Sequence, residues 1–368
     1  VQVYLHSPVI SHFGKHSGSV LELSLNTAKK SLQGFGKEGI EFLIFASFCP
    51  EIYTGEFHIP GRIATELGLT DIFCIRSETA SSSGASAFHL AHHLIQSGRF
   101  HSGLVIATEI MSRLPRNENN VLLGSVLSDS QRQLGMSMAQ GGALVAQRYL
   151  HKYSYTRRDL YSLAEKLHQN GCSNPKAHIK KSIDWETYQS APLFADPLGL
   201  YDISPLSDGS VAMVLSRKPG LSSVVGLGQG LAKMDASVED CSFPASVIAF
   251  QKAYAEAKIG PRDIDIAELH DAFTIFEVIG MEDSGLCPRG EGLGWIRRGD
   301  THPGSKLPIN ASGGLKTRGH PIAASGLAQI AELDRFFESD KGLRHGLAHS
   351  IGGLATNNFA TILRNERT

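Results

Sequence analysis

Three short stretches of the chain carry polar side chains where packing alone does not ask for them. The first is Glu78-Thr79-Ala80-Ser81-Ser82-Ser83-Gly84, between a strand pattern that ends near Ile75 and a helical pattern that opens at Ser83. A side chain at such a junction faces the positive end of a helix dipole, which favours an anionic ligand or nucleophile. Serine clusters are also ordinary N-caps, and this segment alone fits that reading well. The second is Glu268-Leu269-His270-Asp271-Ala272-Phe273, directly after a buried-strand pattern. Open α/β sheets place active sites at the C-terminal ends of central strands, although one histidine there fits a structural role equally. The third and most specific is Asn310-Ala311-Ser312-Gly313-Gly314-Leu315-Lys316-Thr317-Arg318-Gly319-His320-Pro321, followed closely by Ser325-Gly326. Its glycines let backbone approach a ligand, and the residue before Pro321 is restricted, so His320 is offered in one orientation.

The elements that must position these stretches show a weak internal repeat. An amphipathic stretch from Leu21 to Leu32 runs through Gly34, Gly36 and Gly39 into the buried-strand pattern Ile40 to Phe45, and Val247 to Lys258 does the same through Gly260-Pro261 into Ile264 to Leu269. Ser83-Gly84 then opens a helix with Ala87, Phe88, Ala91, Leu94 and Ile95 on one face. Ser325-Gly326 opens another with Leu327, Ile330, Ala331 and Phe337, and each leads to a strand, Leu104 to Ala107 or Phe359 to Leu363. Strands alternating with helices predict parallel βαβ units with helices on both sheet faces. Two such halves, residues 1–218 and 219–368, predict a duplicated α/β/α/β/α sandwich. The surplus of the first half, about 110–200, reads as an inserted loop subdomain with a helical pattern near Leu160 to Leu167, where substrate is often gripped.

In 368 residues, 35 Lys+Arg and 36 Asp+Glu nearly cancel, which argues against a nucleic-acid partner, while a hydrophobic share of 42% supports a sizeable core. No apolar run reaches the roughly 20 residues of a membrane helix, so membrane insertion is not expected. The five cysteines (Cys49, Cys74, Cys172, Cys241, Cys287) are scattered and odd in number, without Cys-x-x-Cys spacing, which predicts neither a disulfide framework nor a zinc site. A reducing, cytoplasmic location is expected. Gly226-Leu227-Gly228-Gln229-Gly230 hints at a dinucleotide fingerprint but has the wrong spacing. His89, His92 and His93 have the spacing of metal ligands, yet their face lies largely opposite the apolar stripe and reads as surface. The basic residues Arg148, Lys152, Arg157, Arg158, Lys166, Lys176, Lys180 and Lys181 fit either a hydrated surface or contact with phosphates.

In order and separation these stretches resemble the thiolase superfamily, over nearly the whole chain. The resemblance is carried by Val3-Tyr4-Leu5 with Phe13-Gly14-Lys15, Ser82-Ser83-Gly84, Gly135-Met136, Asp208-Gly209-Ser210-Val211-Ala212, the Asn310 to Gly326 loop and Ser350-Ile351-Gly352-Gly353. The His-Asp-x-Phe form and Gly285-Leu286-Cys287-Pro288 are similar to the sterol-carrier-protein type thiolases and their bacterial acetyl-CoA acetyltransferase relatives. The resemblance implies an acyltransferase that makes or breaks carbon–carbon bonds on coenzyme A thioesters by Claisen chemistry. Acyl-CoA or acetyl-CoA would be its substrate, with no tightly bound cofactor. It implies a homodimer or tetramer, with an accessory subunit as a further option. It places an acylated cysteine at the position of Ser81, activated by His320, and an oxyanion held by His320 and His270. A second oxyanion hole would use the backbone N–H groups of Ser81 and Gly352. Ser312, Gly313, Gly314 and Gly352 would contact the coenzyme. A second cysteine, at Ser350 or, in the sterol-carrier branch, at Ala272, would move the α-proton.

The chain departs from that pattern: none of its five cysteines falls at 81, 272 or 350. A hydroxyl has a far higher pKa than a thiol near 8.5, so Ser81 is a poor nucleophile and Ser350 a poorer base. Three explanations remain open: Ser81 replaces a native cysteine, the chain performs a reaction such as retro-aldol cleavage without a covalent intermediate, or it is a catalytically quiet acyl-CoA-binding subunit.

Overall fold

The structure, a computed structural model, describes residues 1–233 and 241–368. The first half runs β1 (Val3–Ile10), α1 (Val20–Phe35), β2 (Phe42–Ala46), α2 (Pro50–Tyr53), α3 (Ile59–Leu67), β3 (Phe73–Ser77), α4 (Ser83–Gln96) and β4 (Ser102–Glu109). The intervening segment contains α5 (Arg116–Gly124), α6 (Asp129–Gln133), α7 (Met138–Tyr153), α8 (Arg157–Ser173), α9 (Trp185–Ser190), β5 (Leu193–Ala195) and β6 (Leu198–Gly199), and β7 (Gly209–Ser216) follows. The second half is β8 (Ser222–Leu231), α10 (Pro244–Ala257), β9 (Ile266–Glu268), α11 (Ile275–Asp283), α12 (Gly292–Arg298), α13 (Gly314–Arg318), α14 (Ile322–Ser339), β10 (His345–Gly352) and β11 (Asn357–Asn365).

Nine strands form one sheet in the order β3-β2-β4-β7-β1-β8-β11-β10-β9. Read from the β1–β8 contact outward, the second half repeats the first: β8, β11, β10 and β9 stand where β1, β7, β4 and β2 stand, with the same directions. Period-two alternation splits the core by face. On β2, Phe42, Ile44 and Ala46 point to one cluster and Leu43 and Phe45 to another. The inner cluster joins α4 and α14 to strands of both halves. Outside it, α1 and α3 cover the first half, and α10 and α11 cover the second. Five layers result, an α/β/α/β/α sandwich with two helices in the middle.

Two expectations need correction, the all-parallel sheet and the solvated histidine trio. The sheet is mixed, because β7 returns antiparallel between β4 and β1, and β11 does the same between β10 and β8. The inserted segment after β4 is built mainly of helices, the pattern near Leu160 to Leu167 falling within α8, and α7 and α8 bury Tyr149, Leu160, Leu163 and Leu167 in the core of the second half. His89 and His92 are buried, and only His93 of that trio is exposed. The helix carrying them is enclosed by both sheet halves, so its polar face meets protein: His89 Nε2 lies 2.9 Å from Thr361 Oγ1. The Gly226-x-Gly228-x-Gly230 run lies within β8, where a Cβ at Gly228 or Gly230 would overlap a carbonyl of α10. Alternate glycines present one flat face of the strand, and a helix sits on it. The polar run from Met234 that follows lies outside the described residues.

Close approach also sets the middle layer. A Cβ at Gly84 would overlap Ala323 O and stand 2.9 Å from Leu327 N, where α4 crosses α14. Gly84→Ala is therefore expected to cost about 1–3 kcal/mol by overpacking, read as a lowered urea midpoint at unchanged slope. An unchanged midpoint would contradict the close crossing.

Candidate active site

Two buried carboxylates draw the histidine-bearing segments together. Glu268 closes β9, and its Oε2 accepts from Ser312 Oγ at 2.5 Å and pairs with Arg318 Nη1 at 3.3 Å, with both charged side chains fully buried. Asp271 accepts the N–H groups of Leu315 at 2.6 Å and Lys316 at 3.1 Å, at the start of α13. Gly314 has φ +60°, and a Cβ there would overlap the Asp271 carboxylate, so this turn requires glycine. His270 lies between the two carboxylates in sequence, and His320 lies two residues beyond Arg318. Their rings stand 5.3 Å apart, centroid to centroid, and perpendicular.

The hydrogen bonds fix each ring's tautomer. Ile351 N–H donates to His270 Nδ1 at 3.3 Å; an amide can only donate, so Nδ1 holds a lone pair and the ring proton sits on Nε2. His320 Nδ1 lies 2.7 Å from Ser325 Oγ, whose hydrogen goes to Pro321 O at 2.9 Å. Ser325 therefore accepts from His320 Nδ1–H, and His320 Nε2 is left as an acceptor. Burial pushes His320 down to about 3, with the Arg318 charge adding to it. Burial also holds His270 well below the usual imidazole range, helped by His320, His349 and Arg318. The site thus presents two neutral rings, one offering a proton and one a lone pair.

Both rings line a cavity of about 620 Å³ together with Ser81. Ser81 follows Ala80, whose φ of +53° is the left-handed region, at the turn into α4. Among the described residues Ser81 Oγ has no hydrogen-bond partner, so no base is engaged with it. Ser350 is buried on β10, its Oγ 3.4 Å from Ser81 O, and it does not line the cavity. Gly352 N–H donates to Asn358 Oδ1 at 3.3 Å instead of standing free for an oxyanion, and Gly353 lines the cavity in its place. Ser312, Gly313 and Gly314 are buried in the carboxylate network and are not among the lining residues either.

The rest of the wall is largely apolar, from Phe48, Met111, Ile183, Ile203, Phe273 and Phe276, with Ala272 where the resemblance allowed a cysteine. No cysteine lines it. Of the basic residues singled out above, Lys181 reaches the cavity. Lys166 is a correction: it is fully buried in an ion pair with Glu277 and donates to Ile309 O at 3.1 Å. Arg157 and Arg158 lie over the rings of Tyr188 and Trp185. Sequence reasoning gave no separate role to Lys316, Arg116, Tyr201 or His168, which also line the cavity. Only Lys316 had an available signal, its place four residues before His320 in the glycine-rich loop.

An ordinary imidazole gains a proton as pH falls from 8 to 5. With both pKa values depressed, His270 and His320 are expected to stay neutral across that range. Nitrogen-15 histidine NMR should show pH-independent shifts for both, with His270 carrying its proton on Nε2. A midpoint near 6.5 for either ring would contradict the assignment.

Comparison with known proteins agrees with this architecture. The family model for the thiolase N-terminal domain matches residues 12–219, and that for the thiolase C-terminal domain-like region matches residues 229–365. The chain is 29% identical over 345 residues to an acetyl-CoA acetyltransferase of Methanothermobacter thermautotrophicus, covering 88% of each chain. It is 31% identical over 377 residues to sterol carrier protein 2 of Rattus norvegicus, covering 92% of this chain and 67% of that one. A solved structure of an Ltp2-ChsH2(DUF35) aldolase shares the fold with a TM-score of 0.85 at 22% identity, over 100% of this chain and 98% of the other. With both of its halves matched in order and the five-layered sandwich in place, the chain belongs to the thiolase family.

Proposed function

We propose that the chain makes or breaks the bond between the α and β carbons of a coenzyme A thioester, through a thioester enolate. The observation that carries this is the complementary histidine pair facing one cavity. His270 Nε2–H is a donor for the enolate oxygen, in a water-poor site where such a bond is strongest. His320 Nε2 is the acceptor that moves a proton. In the acyl-transfer form, Ser81 Oγ attacks the β-carbonyl of a 3-oxoacyl-CoA and loses its proton to His320. The α–β bond then breaks with its electrons going to the enolate, which takes that proton from His320 at its α carbon; the thiol of coenzyme A then attacks the acyl ester, and its proton passes through His320 to the departing Ser81 Oγ.

A second reading, retro-aldol cleavage, is favoured by the lack of any lining thiol and of any base on Ser81 Oγ. His320 then takes the proton of a 3-hydroxyl, the carbonyl product leaves, and the enolate is protonated at the α carbon. This route needs one base and one oxyanion donor, which is what the pair supplies. The family name of the relatives supports the first form, and the aldolase among its structural neighbours the second. We also assign β3, one of the two edge strands of the sheet, to pairing with a second copy of the chain, since an edge strand leaves backbone groups unpaired.

Turnover of 3-oxoacyl-CoA with free coenzyme A, and of 3-hydroxyacyl-CoA alone, separates the forms. His320→Ala should lower either rate by about 10²–10⁴-fold. Ser81→Ala should abolish acyl transfer but leave aldol cleavage within a few-fold, and Ser81→Cys should raise acyl transfer only. Turnover that is indifferent to His320 would overturn both.

A further inference from the structure

Among the described residues that line the cavity, Lys316 is the one buried lysine or arginine, and the mechanism above does not use it. It is 2% exposed, and it lines the same cavity as His270 and His320. Its Nζ donates to Leu200 O at 3.1 Å and Ile203 O at 2.8 Å. An ammonium carries three N–H bonds, so one is left over. Among the described residues no carboxylate stands within ion-pair reach of it. The two acids that act on it from a distance are otherwise engaged: Asp202 accepts from Tyr188 Oη at 2.8 Å and Gly199 N at 2.8 Å, and Asp271 caps α13.

The cavity as a whole is one-sided in charge. Its lining includes Arg116, Lys181 and Lys316 and no aspartate or glutamate. Arg116 and Lys181 are exposed and suit the phosphates of the coenzyme, whereas Lys316 is buried, its Nζ on Ile203 O and 6.0 Å from the centre of the Tyr201 ring. The neighbouring His168 adds no counter-charge. Its Nδ1 lies 2.6 Å from Lys181 O, which can only accept, and burial with the Lys316 charge lowers its pKa to about 4. A buried ammonium with no anion beside it is costly, and it is relieved when an anion arrives.

We infer that Lys316 is a specificity residue which receives a carboxylate carried on the acyl group of the substrate, an inference that rests on the coenzyme A thioester reading above. Burial brings the Lys316 amine down to about 8. It therefore stays mostly protonated at neutral pH and loses its charge above that value. A purely structural lysine, clamping the carbonyls of Leu200 and Ile203, would show no preference between substrates.

Calorimetric titration of the full chain with free coenzyme A, 3′-dephospho-coenzyme A, pentanoyl-CoA and glutaryl-CoA tests this. The last two share an acyl length and differ by the terminal carboxylate. Glutaryl-CoA is expected to bind about tenfold tighter than pentanoyl-CoA. That ratio should collapse towards one in Lys316→Met, with pentanoyl-CoA binding unchanged. It should also fall in the wild-type chain as pH rises from 6.5 to 9.5, which keeps the test open should the variant fail to fold. Equal affinity for the pair in the wild-type chain overturns the inference, and so does a preference that survives the substitution. A Lys316→Met variant that loses affinity for free coenzyme A relative to its 3′-dephospho form would reassign the lysine to the coenzyme phosphate. No binding of any coenzyme A species would overturn the thioester reading and this inference with it.

Discussion

The site depends on a charge taken out of water. Glu268 and Arg318 are both fully buried, and their pairing, with Ser312 Oγ between them, links the end of β9 to the loop before α14. Isolated, either charge would be strongly unfavourable there; together they are tolerable only in one arrangement of the two segments. Burial still pushes Glu268 up to about 7 against the pull of Arg318, a sign of how dry this position is. Asp271 adds the second tie by capping α13. Because His270 and His320 each lie within two residues of these ties, the 5.3 Å between their rings follows from the network beneath them.

The same dryness decides what the rings can do. Two cationic imidazoles in contact would repel, and burial removes that state altogether. What remains is a neutral donor and a neutral acceptor whose tautomers are set by Ile351 N–H and Ser325 Oγ. Neutral groups that need no reorganisation stabilise a developing enolate well. Among the described residues no thiol lines the cavity wall, and the proposed enolate chemistry therefore rests on the two rings.

Much of this was legible in the sequence. The apolar strand runs of β2 and β4, the stretches around His270 and His320, and the repeat of the two halves all follow from pattern and punctuation. The failures have physical reasons. Antiparallel β7 and β11 are buried on both faces, so their residues read like those of parallel strands. His89 and His92 looked solvated because a one-sided apolar stripe was taken to mean one buried side, whereas α4 is covered on their side too and is exposed only towards its C-terminal end, at His93 and Gln96. Lys166 resembled a surface lysine because its partner, Glu277, is 111 residues away. The helix after His320 begins at Ile322 rather than Ser325, since Ser325 is needed to hold the imidazole. Gly352 looked like an oxyanion donor because nothing local reveals that Asn358 takes its amide.

The central claim is that this pair of neutral rings generates and holds a thioester enolate. Exchange of the α-hydrogens of acetyl-CoA or propionyl-CoA with deuterium from solvent, followed by NMR in the absence of any acceptor, tests it most directly. Exchange catalysed by the chain, and abolished in both His270→Ala and His320→Ala, is the expected result. A thioester that binds but keeps its α-hydrogens unexchanged, or exchange that persists in the two variants, would contradict it.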